Sequence, residues 1–218
     1  MRLLLMGFVL LYATLLSAQR ATDFEPELEV GFGVGSWSSE VDFPDALNVS
    51  QEPINGINLG LSLRYFDRKS VGFMAEINYD QAGWLETQDS LDESYRRSID
   101  FLTTQLFTQL SFGRGLIRPV LQGGCYVSFP IADQEEIPDE FFVQEFERSY
   151  YRQSYSGRIT YGLVFGGGVY LHFGPLSFQL EGRFLAGFSD LFRPGETQAE
   201  TSRRRSAGFR VTSFYRIK

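Results

Sequence analysis

The chain carries eight stretches in which every second residue is apolar, and the gaps between them run long, short, long, short, long, short, long. Period two is the mark of a strand with one apolar face, as opposed to the 3.6 of a helix. In residues 27–37, Leu28, Val30, Phe32 and Val34 share a face, with Glu27, Glu29 and three glycines on the other. Residues 55–66 set Ile57, Leu59, Leu61, Leu63 and Tyr65 against Asn58, Gly60, Ser62 and Arg64. The same reading predicts strands over 71–80, 98–112, 116–129, 157–171, 176–188 and 207–217. The stretch 98–112 is the least regular, because Phe101 and Phe107 fall opposite Leu102, Leu106 and Leu110.

Length and loop parity turn this into an architecture. The predicted strands run 10 to 15 residues, whereas a globular strand is commonly about 5 or 6 and a tilted membrane strand about 9 to 11. Tight turns at 67–70, 113–115 and 172–175 alternate with long loops near 38–53, 82–97, 130–156 and 189–203. An up-and-down membrane barrel sorts its connections in this way, short on the periplasmic side and long outside. The fold expected is all-β, an eight-stranded antiparallel up-and-down transmembrane β-barrel. Aromatic residues near the strand ends predict two interfacial girdles: Trp37, Tyr79, Trp84, Phe129 and Phe188 at the long-loop ends, and Tyr65, Phe66, Phe112, Phe173 and Tyr215 at the short-turn ends.

Residues 1–19 read as a signal peptide: Met1-Arg2, an apolar run from Leu3 to Leu16, then small residues at Ser17-Ala18, with cleavage expected after Ala18 or Gln19. Residues 20–218 then form one barrel domain. No later apolar run reaches the roughly 18 residues of a membrane-spanning helix. A formal charge of −7 and a pI near 4.9 argue against nucleic acid as a partner, which would require a basic face. The single cysteine, Cys125, has no intramolecular partner and reads as a small strand residue.

From the fourth strand onward the sequence resembles a known pattern. Ile99-Asp100-Phe101-Leu102 followed by Arg118-Pro119-Val120-Leu121-Gln122-Gly123-Gly124 is similar to the paired strands of the PorT-like outer-membrane β-barrel domain family, abundant in Bacteroidota. Gly166-Gly167-Gly168, the strand from Leu176 to Phe184 after a Gly-Pro turn, and the ending Phe214-Tyr215-Arg216 continue the likeness. Gln105, where that pattern often has proline, and the final Lys218, in place of an aromatic residue, depart from it. The resemblance implies integral insertion in the bacterial outer membrane and, for some members, a part in protein secretion. It implies no catalytic site.

With apolar faces toward lipid, the interior receives Glu27, Glu29, Arg64, Glu76, Asp80, Glu181, Arg183, Arg210 and Arg216. Charges enclosed in a narrow barrel must be paired, since an uncompensated one is costly. Two readings stand: a cross-braced structural filling, centred on Glu29, Arg64, Glu76, Asp80, Glu181, Arg183 and Arg210, or a path for ions or protons. Eight strands leave space for side chains but for no open channel, which favours the first. The only histidine, His172, falls in a short turn, so a Ser/His dyad at the outer rim cannot be built and no enzyme is expected. No cofactor or metal is implied.

The third long loop is acidic and aromatic, and Phe141, Phe142, Phe146, Tyr150 and Tyr151 are its candidate partner-binding residues. Arg203-Arg204-Arg205 is expected at the outer end of the last strand, facing lipid phosphates or acidic loops. The functional expectation is a non-enzymatic outer-membrane barrel with a closed polar interior. It would act as a structural, adhesive or secretion-accessory component, with outer-membrane lipid around it and envelope or secretion proteins as partners. The alternative is a secreted lipocalin-like barrel binding a small apolar ligand, suggested by Gly35-Ser36-Trp37. A lipocalin would turn its apolar faces inward, and period two alone does not say which face is which.

Overall fold

The two faces of each alternating stretch are separated by closure of the sheet. The computed structural model describes residues 26–42, 50–68, 70–87, 94–113, 115–138, 159–192 and 202–217. Eight strands follow in chain order: β1 (Glu27–Asp42), β2 (Ser50–Arg68), β3 (Val71–Thr87), β4 (Tyr95–Ser111), β5 (Ile117–Glu136), β6 (Thr160–Phe173), β7 (Leu176–Asp190) and β8 (Arg203–Arg216). Each pairs antiparallel with its sequence neighbours, and β8 returns to β1 from Glu29↔Arg216 to Asp42↔Arg203, so no sheet edge remains open. Two of the tight turns carry a glycine at positive φ, Gly113 at 89° and Gly174 at 66°, a conformation that costs a residue with a Cβ.

The apolar faces point outward. Phe32, Leu61, Leu106, Leu163, Leu180 and Phe209 are exposed, while Glu29, Arg64, Glu76, Glu181, Arg183 and Arg210 are buried. This overturns the lipocalin-like alternative. Its calyx needs apolar residues inside, and here Arg64, Asn58 and Ser62 line the lumen where Leu59, Leu61 and Leu63 would have to be. The irregular fourth strand is resolved by the same rule. Phe101 and Phe107 share the inward face with Thr103, Gln105 and Gln109, and all five are buried.

The face rule reverses toward the long-loop end. Outward positions on β1 pass from Val30, Phe32 and Val34 to Ser36, Ser38 and Glu40, and on β4 from Leu106 and Leu102 to Asp100, Ser98 and Arg96. Over the same stretch the interior turns apolar: Val41, Ala82, Trp84, Tyr95, Ile99, Phe101, Leu191 and Phe192 form one buried cluster. Above the hydrocarbon layer the wall meets water, so an ordinary apolar core is the stable filling there. The strands accordingly run longer than the sequence suggests, 19 residues in β2 and 20 in β5. The walls rise through much of what reads as loop in the sequence.

A register shift supports this upper section. Between Asp100↔Ala132 and Phe101↔Pro130 one residue, Ile131, has no partner. Such a bulge reverses the facing of everything beyond it, and it brings Asp133 and Glu135 to Arg97, at 2.5 Å and 3.6 Å. Tyr95 donates to Glu135 at 2.6 Å. Burial, then this hydrogen bond, push the Tyr95 hydroxyl well above the usual phenol range.

Three members of the expected girdles lie inside. Trp37 and Trp84 are 1% and 0% exposed and Phe66 is 4% exposed. Each shares the parity of the inward residues on its strand, so these rings fill the lumen. Tyr65, Phe112, Phe129, Phe173, Phe188 and Tyr215 do face outward.

Candidate functional site in the barrel interior

Alternation dictates that every second residue enters the lumen, and the inward set holds five acidic residues and five arginines that are buried: Glu29, Glu76, Asp80, Glu86 and Glu181 with Arg64, Arg97, Arg183, Arg204 and Arg210. Opposite charges in equal number, brought near one another, are what allow such a set to exist out of water. The pairs are stacked in tiers along the barrel.

In the tier nearest the short turns, Arg64 of β2 donates through Nε and Nη2 to Glu29 Oε2 of the adjacent β1, at 2.8 and 2.5 Å. Its Nη1 crosses to Gln179 of β7 at 2.7 Å. The other oxygen of Glu29 accepts from Tyr170 at 3.1 Å and Ser177 at 3.3 Å. Three rings enclose the guanidinium, with Phe214, Tyr170 and Phe66 centroids 3.6, 4.6 and 5.0 Å from Cζ. Cation–π attraction is strongest for a desolvated cation.

The middle tier is a bridge across the lumen. Arg183 of β7 grips Glu76 of β3 with two bonds, at 2.6 and 2.8 Å, and also holds Glu181. Gln105 accepts from the same guanidinium at 3.0 Å. Ser62 and Asn78 donate to Glu76 at 3.0 and 3.1 Å, and Gln179 donates to Glu181 at 2.7 Å. Gln122 completes the ring by donating to Glu181.

Above it, Arg210 donates to Asn58, which donates to Asp80. Arg210 fits only because β1 has glycine opposite: a Cβ on Gly33 would lie 2.4 Å from its guanidinium nitrogens. Arg204 reaches toward Asp80 at 3.8 Å and donates to Ser206 at 3.1 Å. Its Cζ lies 4.8 Å from the Phe101 ring, beneath the apolar cluster.

The structure thus places Glu29 with Arg64, Glu76 and Glu181 with Arg183, and Asp80 with Arg210 through Asn58. Glu27 and Arg216 meet at 3.2 Å at the short-turn rim, half-buried. His172 lies there as well, 3.3 Å from Tyr170 and 3.1 Å from Arg216. Arg204 corrects the sequence expectation, which placed it outside with Arg203 and Arg205. It lies within β8 and its side chain is 1% exposed. Its signal was present, since it has the parity of Arg210 and Thr212. Sequence reasoning also missed the bracing amides Gln105, Gln122 and Gln179, because uncharged polar residues do not stand out in an alternating strand. Phe141, Phe142, Phe146, Tyr150 and Tyr151 lie outside the described residues.

Chemically, the tiers neutralise and hold one another. The carboxylates of Glu29, Glu76 and Glu181 are each bound by an arginine and by amide or hydroxyl donors. Among the described residues, no group of three His, Cys, Asp or Glu side chains is placed to hold a metal ion.

This geometry has close counterparts. The structure resembles OprG from Pseudomonas aeruginosa, an outer membrane protein, with a TM-score of 0.56 at 12% identity, over 88% of this chain and 95% of that one. It resembles Ail, the attachment invasion locus protein of Yersinia pestis, with a TM-score of 0.51 at 12% identity, over 89% and 100%. For Neisserial surface protein A the values are 0.51 and 10%, over 88% and 99%. At such identities the likeness is one of fold. No curated protein matches the sequence. Residues 17–193, most of the chain, match the outer membrane protein beta-barrel domain. With its lipid-facing apolar wall and ionic interior, the chain therefore belongs to the outer membrane protein beta-barrel domain family and is an integral protein of the outer membrane.

Proposed function

We propose that this barrel is a non-enzymatic component of the outer membrane, structural, adhesive or secretion-accessory, acting through its raised outer end on protein partners. The observation that carries the reading is the filled lumen. The Arg183–Glu76–Glu181 bridge spans it and the Trp84–Phe192 cluster caps it, which leaves the surfaces for function. The long-loop end is taken to face outside, where β1 to β5 lift a polar wall above the lipid. Phe141, Phe142, Phe146, Tyr150 and Tyr151, which follow β5 in the sequence, are the proposed partner-binding residues. Within the family, the Ile99–Leu102 and Arg118–Gly124 segments favour a PorT-like member. Residues 1–19 are taken as the cleaved leader, and N-terminal sequencing of the membrane form checks that.

The test is photo-crosslinking in cells from the outward positions Glu40 and Arg96, with planar-bilayer conductance on the purified barrel. Discrete protein adducts and a silent bilayer support the reading. Steady ionic conductance, or adducts to lipid alone from both positions, would refute it.

A further inference from the structure

At the short-turn mouth, side chains of β1, β5, β6 and β8 meet around the one histidine of the sequence. His172 has the inward parity of Tyr170 and pairs with the buried Ser177 of β7. Its Nε2 lies 3.1 Å from Arg216 Nη2, and its Nδ1 lies 3.3 Å from the Tyr170 hydroxyl. A guanidinium has only donors, so the Arg216 contact is a bond only while Nε2 keeps its lone pair. The proton of the neutral ring then sits on Nδ1 and is donated to Tyr170, whose own proton goes to Glu29 Oε1 at 3.1 Å. The series runs in one direction, from Arg216 through His172 and Tyr170 to Glu29. It ties β8 to β6 past the intervening β7 and ends on the carboxylate that holds Arg64.

A second proton on the ring would occupy Nε2 and meet Arg216 donor to donor, two cations 3.1 Å apart. The surrounding charges do not offset this. Arg64 of β2 and Glu29 of β1 neutralise each other at 2.5 Å, which leaves Arg216 of β8 and Arg118 of β5 against Glu27 of β1. Arg118 is the register partner of Tyr170, with its Cζ 5.9 Å from that ring. Glu27 is already held by Arg216 at 3.2 Å, and Ser177 of β7 adds no charge. Folding therefore favours the neutral ring. We infer that His172, Tyr170 and Arg216 form an acid-sensitive latch at the short-turn mouth: the neutral ring fastens the end of β8, and protonation releases Arg216. The backbone bonds beside the latch are Arg216 N to Pro175 O and Ile217 N to Leu28 O, both 2.8 Å, which close the barrel at this end.

With a single histidine in the sequence, a pH response near its ordinary value of about 6.5 can be assigned by substitution. Urea unfolding of the barrel in neutral lipid vesicles is measured between about pH 8 and pH 5.5, above the ordinary carboxylate range. A proton bound by the unfolded chain and refused by the folded one lowers stability as pH falls. The latch is therefore complete above about pH 6.5, and below it the unfolding equilibrium should grow with acid, by at most about tenfold per pH unit, the limit for one proton. His172→Gln does not titrate but offers Arg216 an amide oxygen, so it should match the parent at pH 8 and lose most of the slope. Arg216→Gln removes the opposing cation and should reduce the slope as well. Hydrogen exchange of the folded barrel, corrected for intrinsic pH dependence, reads the end of β8 directly. The amides of Arg216 and Ile217 should lose protection at pH 5.5 in the parent and keep it in His172→Gln. A slope unchanged in either variant, or amides whose protection in the parent ignores pH, would overturn the latch.

Discussion

Replacing Arg183 with methionine removes one charge of similar side-chain length from the centre of the lumen, and the structure sets the cost. Among the described residues the guanidinium is the only cation bonded to both Glu76 and Glu181, and all three side chains are 0 to 1% exposed. Without it two carboxylates face each other out of water, and the bonds to Glu76, Glu181 and Gln105 are lost together. Removing one partner from a buried ion pair costs about 3–5 kcal/mol, roughly a 100- to 4,000-fold shift in the unfolding equilibrium at 1.4 kcal/mol per decade. The assay is reversible urea unfolding in lipid vesicles, followed by heat-modifiable gel migration of the folded band. A triple variant, Arg183→Met with Glu76→Gln and Glu181→Gln, removes all three charges and should recover most of the loss, because the penalty belongs to the unpaired carboxylates. A single variant within about 1 kcal/mol of the parent, the median worth of an exposed pair, would refute the buried bridge. So would a triple variant as unstable as the single.

The wall and turns give further expectations. Leu180→Arg, near the middle of the lipid-facing band, should destabilise the folded barrel by about 2–4 kcal/mol, and Ala207→Arg near its edge by about 0–1. Vesicle unfolding measures both, and equal costs would contradict the placement of the band. Gly174→Ala puts a Cβ on a residue at φ 66° and should cost about 1–2 kcal/mol in the same assay. Gly33→Val should expel the Arg210 guanidinium from its seat and lower stability by more than Gly123→Ala, where the nearest atom to an added Cβ is 3.5 Å away. The Tyr95 hydroxyl is held above its usual range, so its contribution is complete below about pH 10 and fades as pH rises through the folded value. Stability between pH 8 and 11 should therefore fall more steeply in the parent than in Tyr95→Phe.

Parity along the strands was enough to read the wall: Leu61 and Leu63 outward, Ser62 and Arg64 inward follow from sequence alone. The candidate site was half legible by the same means. Charged inward residues stand out, so Glu29, Arg64, Glu76, Asp80, Glu181, Arg183 and Arg210 could be named, whereas their partners could not. Pairing across a lumen depends on register and shear, which bring Arg183 of β7 to Glu76 of β3 and which no single strand encodes. Trp37, Trp84 and Phe66 were misplaced because nearness to a strand end was weighed above parity. Each sits on the inward parity of its strand and packs inside. Arg204 was missed because β8 was ended too soon, at Ala207. The strands continue beyond the lipid by exchanging their faces' chemistry, polar outside and apolar inside, so alternation persists with its meaning reversed. The Ile131 bulge left no mark in composition and had to be seen.

The central claim is that the apolar face meets hydrocarbon, and the single native cysteine tests it without any substitution. Cys125 is exposed on the outer wall near the middle of β5, between Leu121 and Phe129. Bimane attached to it in urea, before folding into vesicles, reports its surroundings. The account predicts strong quenching by lipids brominated along their acyl chains and none by aqueous iodide. Quenching by iodide with indifference to brominated lipid would mean that this wall faces water, and the membrane-spanning barrel would be the wrong description.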